Sequence, residues 1–256
     1  MKKLYSWLSK ELVEYKLILR NIPSLTISIF ILSVVCANLF ANKELFTCKF
    51  IALDCGFAFS WIMFLCMDVI CKMWGARASI KVSILALFIN LVLCLIFDLL
   101  AKTPGNWAAF YDFETPFANE VINSTFSSSW YVVFGSALAF LISSIVNSLL
   151  NAFIGSLLKS DNFGSFAIRS YISTAIGQLV DNFVFATVVS KVFFGWTWTQ
   201  VAVCSSIAAI FELLCEIVFS GFGYKTVCHW KNENVGKEYS EYLQKRKKIE
   251  KGFCHN

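Results

Sequence analysis

Charge is scarce in this 256-residue chain. Only 15% of its residues are Asp, Glu, Lys or Arg and 57% are hydrophobic, against about 25% and roughly 45–50% in ordinary soluble domains. So few charges cannot cover that much apolar surface in water, and the surrounding medium is read as lipid. Histidine is scarcer still, with His229 and His255 both near the C-terminus. No histidine is left to activate a serine within the apolar runs, and neither HExxH nor GxSxG occurs. Paired aspartates such as Asp68 and Asp181 are the one remaining route to hydrolysis, and neither sits in a catalytic motif. The ten cysteines include no CxxC, which argues against a disulfide framework or a structural zinc site. No GxxxxGK[ST] is present, so energy from ATP would have to come from another chain. The reading is a non-enzyme that needs no cofactor or metal.

Six apolar stretches are long enough to span a bilayer: residues 22–40, 50–73, 82–101, 131–158, 171–194 and 201–222. Each reaches the length of about 20 residues that a helix needs to cross some 30 Å of hydrocarbon. Of the three prolines, Pro23 falls near a helix start, where its missing N–H costs little, and Pro104 and Pro116 fall in the longest loop. Lysine and arginine set the orientation. Eighteen lie before the first stretch, in the second and fourth connections and after the last stretch, whereas only Lys43, Lys49, Lys102 and Lys191 lie opposite. Six spans with both termini cytoplasmic give that asymmetry. The net charge of +5 therefore answers to topology and anionic lipid, and no nucleic-acid partner is expected.

The expected fold is an all-α membrane protein with three parts. Residues 1–21 form an amphipathic interfacial helix, with Leu4, Trp7, Leu8, Leu12, Tyr15 and Leu19 along one stripe. Residues 22–225 form the six-helix domain, and residues 226–256 a charged, solvated cytoplasmic tail. The first span is too long, and its leader too acidic at Glu11 and Glu14, for a cleaved signal peptide. Aromatic residues near the span ends, among them Trp74, Trp130, Tyr131 and Trp198, suit interfacial anchoring. Asp112, Glu114 and Glu120 give the longest loop the acidity of the translocated side.

A charged side chain at mid-bilayer costs roughly 2.5–3.5 kcal/mol on insertion scales, so each one retained there calls for a pairing or functional role. Gln178, Asp181 and Asn182 share one helix face near the midplane, with Phe185 one turn on. Glu212 lies at similar depth in the sixth span and Glu216 one turn further along the same face. Two carboxylates beside amides predict a polar cavity. Asn147 and Asn151 read as interhelical hydrogen-bonding residues. In the second span Asp54, Trp61, Leu65, Asp68 and Lys72 project within about 60° of one another at 100° per residue. Asp68 and Lys72 form an expected i,i+4 pair at the cytoplasmic end, either a plain ion pair or a gate.

The blocks "SVVCANLFANK", "LDCGFAFSWIMFLCMDVICKMWGARAS", "RSYISTAIGQLVDNFVF" and "ELLCEIVFSGFGYK" resemble, in order and spacing, the vitamin uptake transporter family, the queuosine-precursor transporters of bacteria. The resemblance covers residues 22–225 and implies six helices in the cell membrane that import a 7-deazaguanine for tRNA modification. The substrate would be 7-cyano- or 7-aminomethyl-7-deazaguanine or queuine. It also implies that Asn38, Asp68, Gln178, Asp181, Glu212 and Glu216 serve the substrate. Lys72 departs from the family pattern, in which that position is often acidic. Trp61, Asn182 and Phe185 join the candidate site on chemistry. A carboxylate such as Glu212 could accept paired N–H groups, an amide could donate to the ring carbonyl, and Trp61 or Phe185 could stack on the ring.

Two other functions fit the same residues. One is the substrate-binding component of an energy-coupling-factor importer, for which Ala37 and Ala41 would supply a small-xxx-small contact with a scaffold protein. The other is a structural membrane subunit that transports nothing. A homodimer is compatible with the sequence, which leaves the number of copies open.

Overall fold

The computed structural model describes residues 2–41, 43–48, 51–107, 116–127, 130–158 and 160–253. Lys49, Asp112, Glu114, Lys159, Cys254 and His255 lie outside the described residues, as do the side chains of Leu4, Trp7, Trp130 and Tyr131. Helix α1 (Lys2–Asn21) is followed by α2 (Ser24–Phe40), a hairpin of β1 (Glu44–Cys48) and β2 (Ile51–Asp54), α3 (Phe57–Trp74) and α4 (Ala76–Ala101). The chain continues through α5 (Pro116–Ser127), α6 (Trp130–Leu157) and α7 (Phe163–Phe185). A π-helical turn (Ala186–Lys191) and the short α8 (Val192–Phe194) extend α7, and α9 (Trp198–Asn232) and α10 (Lys237–Phe253) complete the chain.

The protein is an all-α membrane protein. Five helices, α3, α4, α6, α7 and α9, are long and apolar enough to cross a bilayer, and α1 with α2 makes six if that bent pair counts as one span. The bend is 105°, and it falls at Pro23, which caps α2 in extended conformation and has no N–H to continue α1. At roughly 1.5 Å per residue, α2 is about 25 Å long, at the short end of spanning length.

Polarity is arranged inside out. Leu32 of α2, Phe88 and Leu95 of α4, Phe153 of α6 and Val218 and Phe222 of α9 are exposed. Ser79, Ser83, Asn90, Ser143, Asn147, Asn151, Ser173, Thr174 and Gln178 are buried. That distribution suits a hydrocarbon solvent, where side-chain hydrogen bonds and close backbone approach hold helices together. One such approach brings three helices together at Gly177 of α7, where an added Cβ would lie 2.8 Å from the Phe64 ring of α3 and 3.0 Å from the Asn147 side chain of α6.

Local chemistry sets the helix starts. Asn162 caps α7 by accepting from Ser165 N at 2.9 Å. Thr197 and Gln200 form a capping box that starts α9 three residues before the sequence-based span. At 35 residues, or roughly 50 Å at 1.5 Å per residue, α9 outruns the hydrocarbon, and its last turns carry Trp230 onto Trp74.

Two expectations need correction. The second span does not begin at residue 50. Residues 51–54 pair antiparallel with 44–48, and Asp54 then turns the chain into α3 by accepting from the Gly56 and Phe57 amides at 2.7 and 3.3 Å. Asp54 is therefore a capping residue and does not lie on the face of α3. The C-terminal tail is also not a free solvated helix. Tyr239 of α10 is fully buried with Ile18, Ile22, Trp74 and Trp230, and its hydroxyl donates to Glu14 at 3.3 Å. Glu14 in turn pairs with Arg77 and Lys81 of α4 and Arg246 of α10. Helix α1 thus turns its acids to the protein, while Leu8, Leu12 and Leu19 of the expected apolar stripe remain exposed.

Candidate functional site

The C-terminal end of α2, the first turns of α3 and α6, the last turn of α7 and the middle of α9 converge on a cavity of about 80 Å³. At roughly 15 Å³ per water on that measure it has room for several waters, in the size range of a small planar heterocycle. Asn38, Asp54, Ser60, Ser136, Asp181, Asn182 and Glu212 supply its polar wall, and Phe57, Phe140 and Phe185 its aromatic wall. No lysine, arginine or histidine is among the lining residues.

Most of the polar wall is fixed in place. Glu212 Oε1 accepts from the Ser60 hydroxyl and Oε2 from Asn182 Nδ2 at 3.0 Å. Asn182 also donates to the Gln178 carbonyl at 2.9 Å. Asn38 donates to the Val34 carbonyl at 2.9 Å and accepts from the Ser136 hydroxyl. Asp181 Oδ1 accepts from Ser143 at 2.7 Å. The second oxygens of Asp181 and Asp54 accept no hydrogen bond among the described residues. These are the free acceptors of the cavity, which selects for N–H donors and against anions. Glu212 was expected to offer both oxygens to a ligand; in the structure both are already engaged, although each carboxylate oxygen keeps a further lone pair.

The other sequence-derived candidates lie elsewhere. Asp68 and Glu216 sit in a second cluster, deeper along α3 and α9 and both fully buried. Asn147 donates to Asp68 Oδ1 at 2.9 Å, Ser170 and Thr174 to Oδ2, and Ser170 contacts Glu216 Oε1 at 2.6 Å. Gln178 stands between cavity and cluster, fully buried with neither amide atom hydrogen-bonded. Trp61 is away from both. Its ring stacks on Phe219 at 4.4 Å, in an outward apolar groove with Ile29, Phe222 and Trp230. Trp61 is therefore removed from the aromatic wall of the cavity, and Phe185 remains.

The expected Asp68–Lys72 pair is not formed. Lys72 Nζ lies 2.7 Å from Asp161 in the α6–α7 connection, and Lys231 of α9 binds the same carboxylate. The bonds from Lys231 and then Lys72 hold Asp161 below the usual carboxylate range, at about 2. Asp68 turns inward because α6 and α7 offer it three donors, while Lys72 reaches past the end of the bundle.

The family model described as "Putative vitamin uptake transporter" matches residues 54–230. The chain belongs to the vitamin uptake transporter family. The matched region runs from the Asp54 cap to Trp230 and holds Asp68, Gln178, Asp181, Asn182, Glu212 and Glu216, whereas Asn38 lies before it. Membership and the apolar helices make the chain a multi-pass membrane protein of the vitamin-uptake type. No curated protein and no solved structure matches it.

Reading the sequence missed Ser60, Ser136, Ser143, Ser170 and Thr174. Ser60 had a signal in its eight-residue spacing from Asp68 on α3. Ser170 and Thr174 continue backwards, at four-residue steps, the face that carries Gln178. The two asparagines behave as expected: Asn147 bonds to Asp68, and Asn151 accepts from Arg169 Nε at 2.9 Å and donates to Ser173 at 3.2 Å. Among the described residues no group of three or more His, Cys, Asp or Glu is placed to hold a metal ion.

Proposed function

We propose that this protein imports a queuosine precursor, a 7-deazaguanine base, across the cell membrane, with both termini in the cytoplasm. It acts as a transporter and not as an enzyme, takes a small molecule and no nucleic acid as its partner, and needs no cofactor. The observation that carries the substrate class is the cavity, which is rich in carboxylates and amides and walled by phenylalanines, with no cation among its described lining residues to attract a phosphate. A 7-deazaguanine presents adjacent N–H groups on its pairing edge, and the unbonded oxygen of Asp181 could accept from one of them by a charge-assisted hydrogen bond. The second amide hydrogen of Asn38, whose first goes to the Val34 carbonyl, supplies a donor for the ring carbonyl, and Phe185 offers a face for stacking. An aminomethyl cation at the 7-position would be drawn to Asp54.

The structure disfavours the coupling-factor component. Ala37 and Ala41, the expected scaffold-facing pair, line the cavity, and the Ala37 carbonyl lies where a Cβ at Gly56 would stand. A structural subunit has no use for free carboxylate oxygens in a cavity. The test is thermal stabilisation of the purified protein. The three deazaguanines are expected to raise Tm in the wild type by mass action, and Asp181→Asn to abolish the shift. No shift with any of the three would refute the substrate class.

A further inference from the structure

The acid cluster below the cavity contains more acceptors than its donors can serve. Four carboxylate oxygens of Asp68 and Glu216 meet three side-chain donors, Asn147 Nδ2, Ser170 Oγ and Thr174 Oγ1. The Ser170 hydroxyl touches Asp68 Oδ2 and Glu216 Oε1 together, yet a hydroxyl carries one hydrogen and can donate to only one of them. With both acids ionised, the other contact would set two oxygens against each other without a proton. Glu216 Oε2 would also remain buried with no partner. The first fault disappears if one carboxyl is protonated: its O–H donates to Ser170, and Ser170 donates to the carboxylate that remains. With the proton on Glu216, its partnerless Oε2 is an oxygen of a neutral acid and no longer of a buried anion.

The charge balance agrees. Among the described residues Arg169 of α7 is the one cation close enough to act on Asp68, while its hydrogen bonds go to Asn151. One positive charge neutralises one carboxylate, so a single proton makes the cluster neutral, as a site inside a bilayer favours. The other ionisable groups nearby are committed or neutral. Cys71 of α3 donates to the Ser148 carbonyl at 3.3 Å, Tyr171 of α7 bonds to Ser220, and Lys72 turns to Asp161. Helix α4 brings no ionisable group, because its buried Lys81 is held by Glu11 and Glu14. Glu212 stands one turn from Glu216 on α9, bound to Ser60 and Asn182.

We infer that Asp68 and Glu216 hold one exchangeable proton between them, bridged by Ser170, and that this proton travels inward with each substrate molecule. The coupling follows from shared elements. Helix α7 carries Ser170 and Thr174 on the pair and Asp181 and Asn182 in the cavity, and α9 carries Glu216 and Glu212 in the same way. A movement of α7 or α9 that opens the cavity also separates the two acids, and the proton leaves for water on the side then open. Gln178 lies between the two sites on α7, buried with its amide unpartnered, so the helix face that joins cavity and pair carries a polar side chain at each turn. The coupling half of this inference rests on the proposed transport function; the proton on the pair does not.

Purified protein in liposomes, with the membrane potential clamped, tests both halves. Labelled 7-cyano-7-deazaguanine, which carries no charge, serves as the probe. The wild type is expected to accumulate it several-fold under an inward proton gradient and to lose that accumulation with a protonophore. Glu216→Gln and Asp68→Asn should still bind and exchange the probe but fail to accumulate it. Infrared difference spectra between neutral and alkaline pH should show a protonated-carboxyl band in the wild type that is lost in Glu216→Gln and shifted in Ser170→Ala, which keeps both acids. Accumulation indifferent to the gradient, a sodium gradient driving it instead, or gradient-driven accumulation persisting in Glu216→Gln would overturn the coupling. An unchanged band in both Glu216→Gln and Asp68→Asn would overturn the proton on the pair. Absence of any probe uptake by the wild type would refute the substrate, and the infrared result alone would then decide the pair.

Discussion

Asp181 is the residue on which recognition turns, because it keeps an unbonded oxygen at the cavity while Ser143 fixes the other. Asp181→Asn replaces that acceptor with an amide and removes its charge. Loss of one charge-assisted hydrogen bond costs roughly 1.5–3 kcal/mol, so binding of a deazaguanine should weaken about 10- to 150-fold by calorimetry, with normal membrane insertion. Trp61 gives the opposing control. Its ring lies on Phe219, outside the cavity, and Trp61→Leu should leave affinity unchanged. A large loss there would return the aromatic wall to Trp61. At this scale the sequence was half legible. Depth and helix face singled out Gln178, Asp181, Asn182 and Glu212, because carboxylates and amides are costly in lipid. Serine carries no such cost, so Ser60, Ser143 and Ser170 stood out by helix spacing at most, and their roles were hidden until their partners were in place. The angular argument that grouped Trp61 with Asp68 failed because the 60° arc on α3 straddles the border between bundle and outer groove.

Among the elements, the connection between α6 and α7 is latched to α3 and α9 through Asp161, which binds Lys72 and Lys231. Both pairs meet at a half-exposed carboxylate, and surface pairs of this kind contribute about 0–1 kcal/mol each, so one substitution should do little. Lys72→Gln combined with Lys231→Gln leaves Asp161 unpartnered. It should speed maleimide labelling of Cys71, which is 3% exposed beside Lys72, in a background lacking the other cysteines. Unchanged labelling would show that these pairs do not hold that end shut. Acid should release the latch late. Asp161 is depressed to about 2, so its contribution is complete above the ordinary value near 3.9 and is lost as pH falls towards about 2. The ratio of the wild-type to the double-variant labelling rate, in which the thiolate chemistry of Cys71 cancels, should therefore be flat over roughly pH 5–8. Helix contact at Gly177 makes a separate prediction. Gly177→Ala drives a methyl against Phe64 and Asn147, and overpacking of that kind costs roughly 1–3 kcal/mol, measurable as a lower Tm in detergent. The spans were legible from length and hydropathy, but the β1–β2 hairpin was not. Residues 51–53 are apolar, like the start of α3, and only the Asp54 cap between them marks the boundary. The docking of α10 was equally hidden, because a charged helix reads as solvated until Tyr239 is seen among Ile18, Trp74 and Trp230.

For the whole molecule, composition alone identified the solvent, and the apolar exterior of α4, α6 and α9 agrees with it. Orientation is a separate matter, since the fold carries no membrane, and it rests on the eighteen-to-four distribution of lysine and arginine. Reporter fusions after Lys102 should read outside and fusions after Lys237 cytoplasmic; a cytoplasmic reporter at Ala118 would overturn the six-span arrangement. The central claim is import of queuosine precursors by this chain alone. Its most direct measurement is competition uptake in cells that neither make queuosine nor contain a coupling-factor module, with queuosine in tRNA as the readout. The chain should restore the modification from at least one of 7-cyano-7-deazaguanine, 7-aminomethyl-7-deazaguanine and queuine, the preferred one should be outcompeted least, and Asp181→Asn should abolish the rescue. If the protein reaches the membrane and none of the three restores queuosine, the claim is wrong.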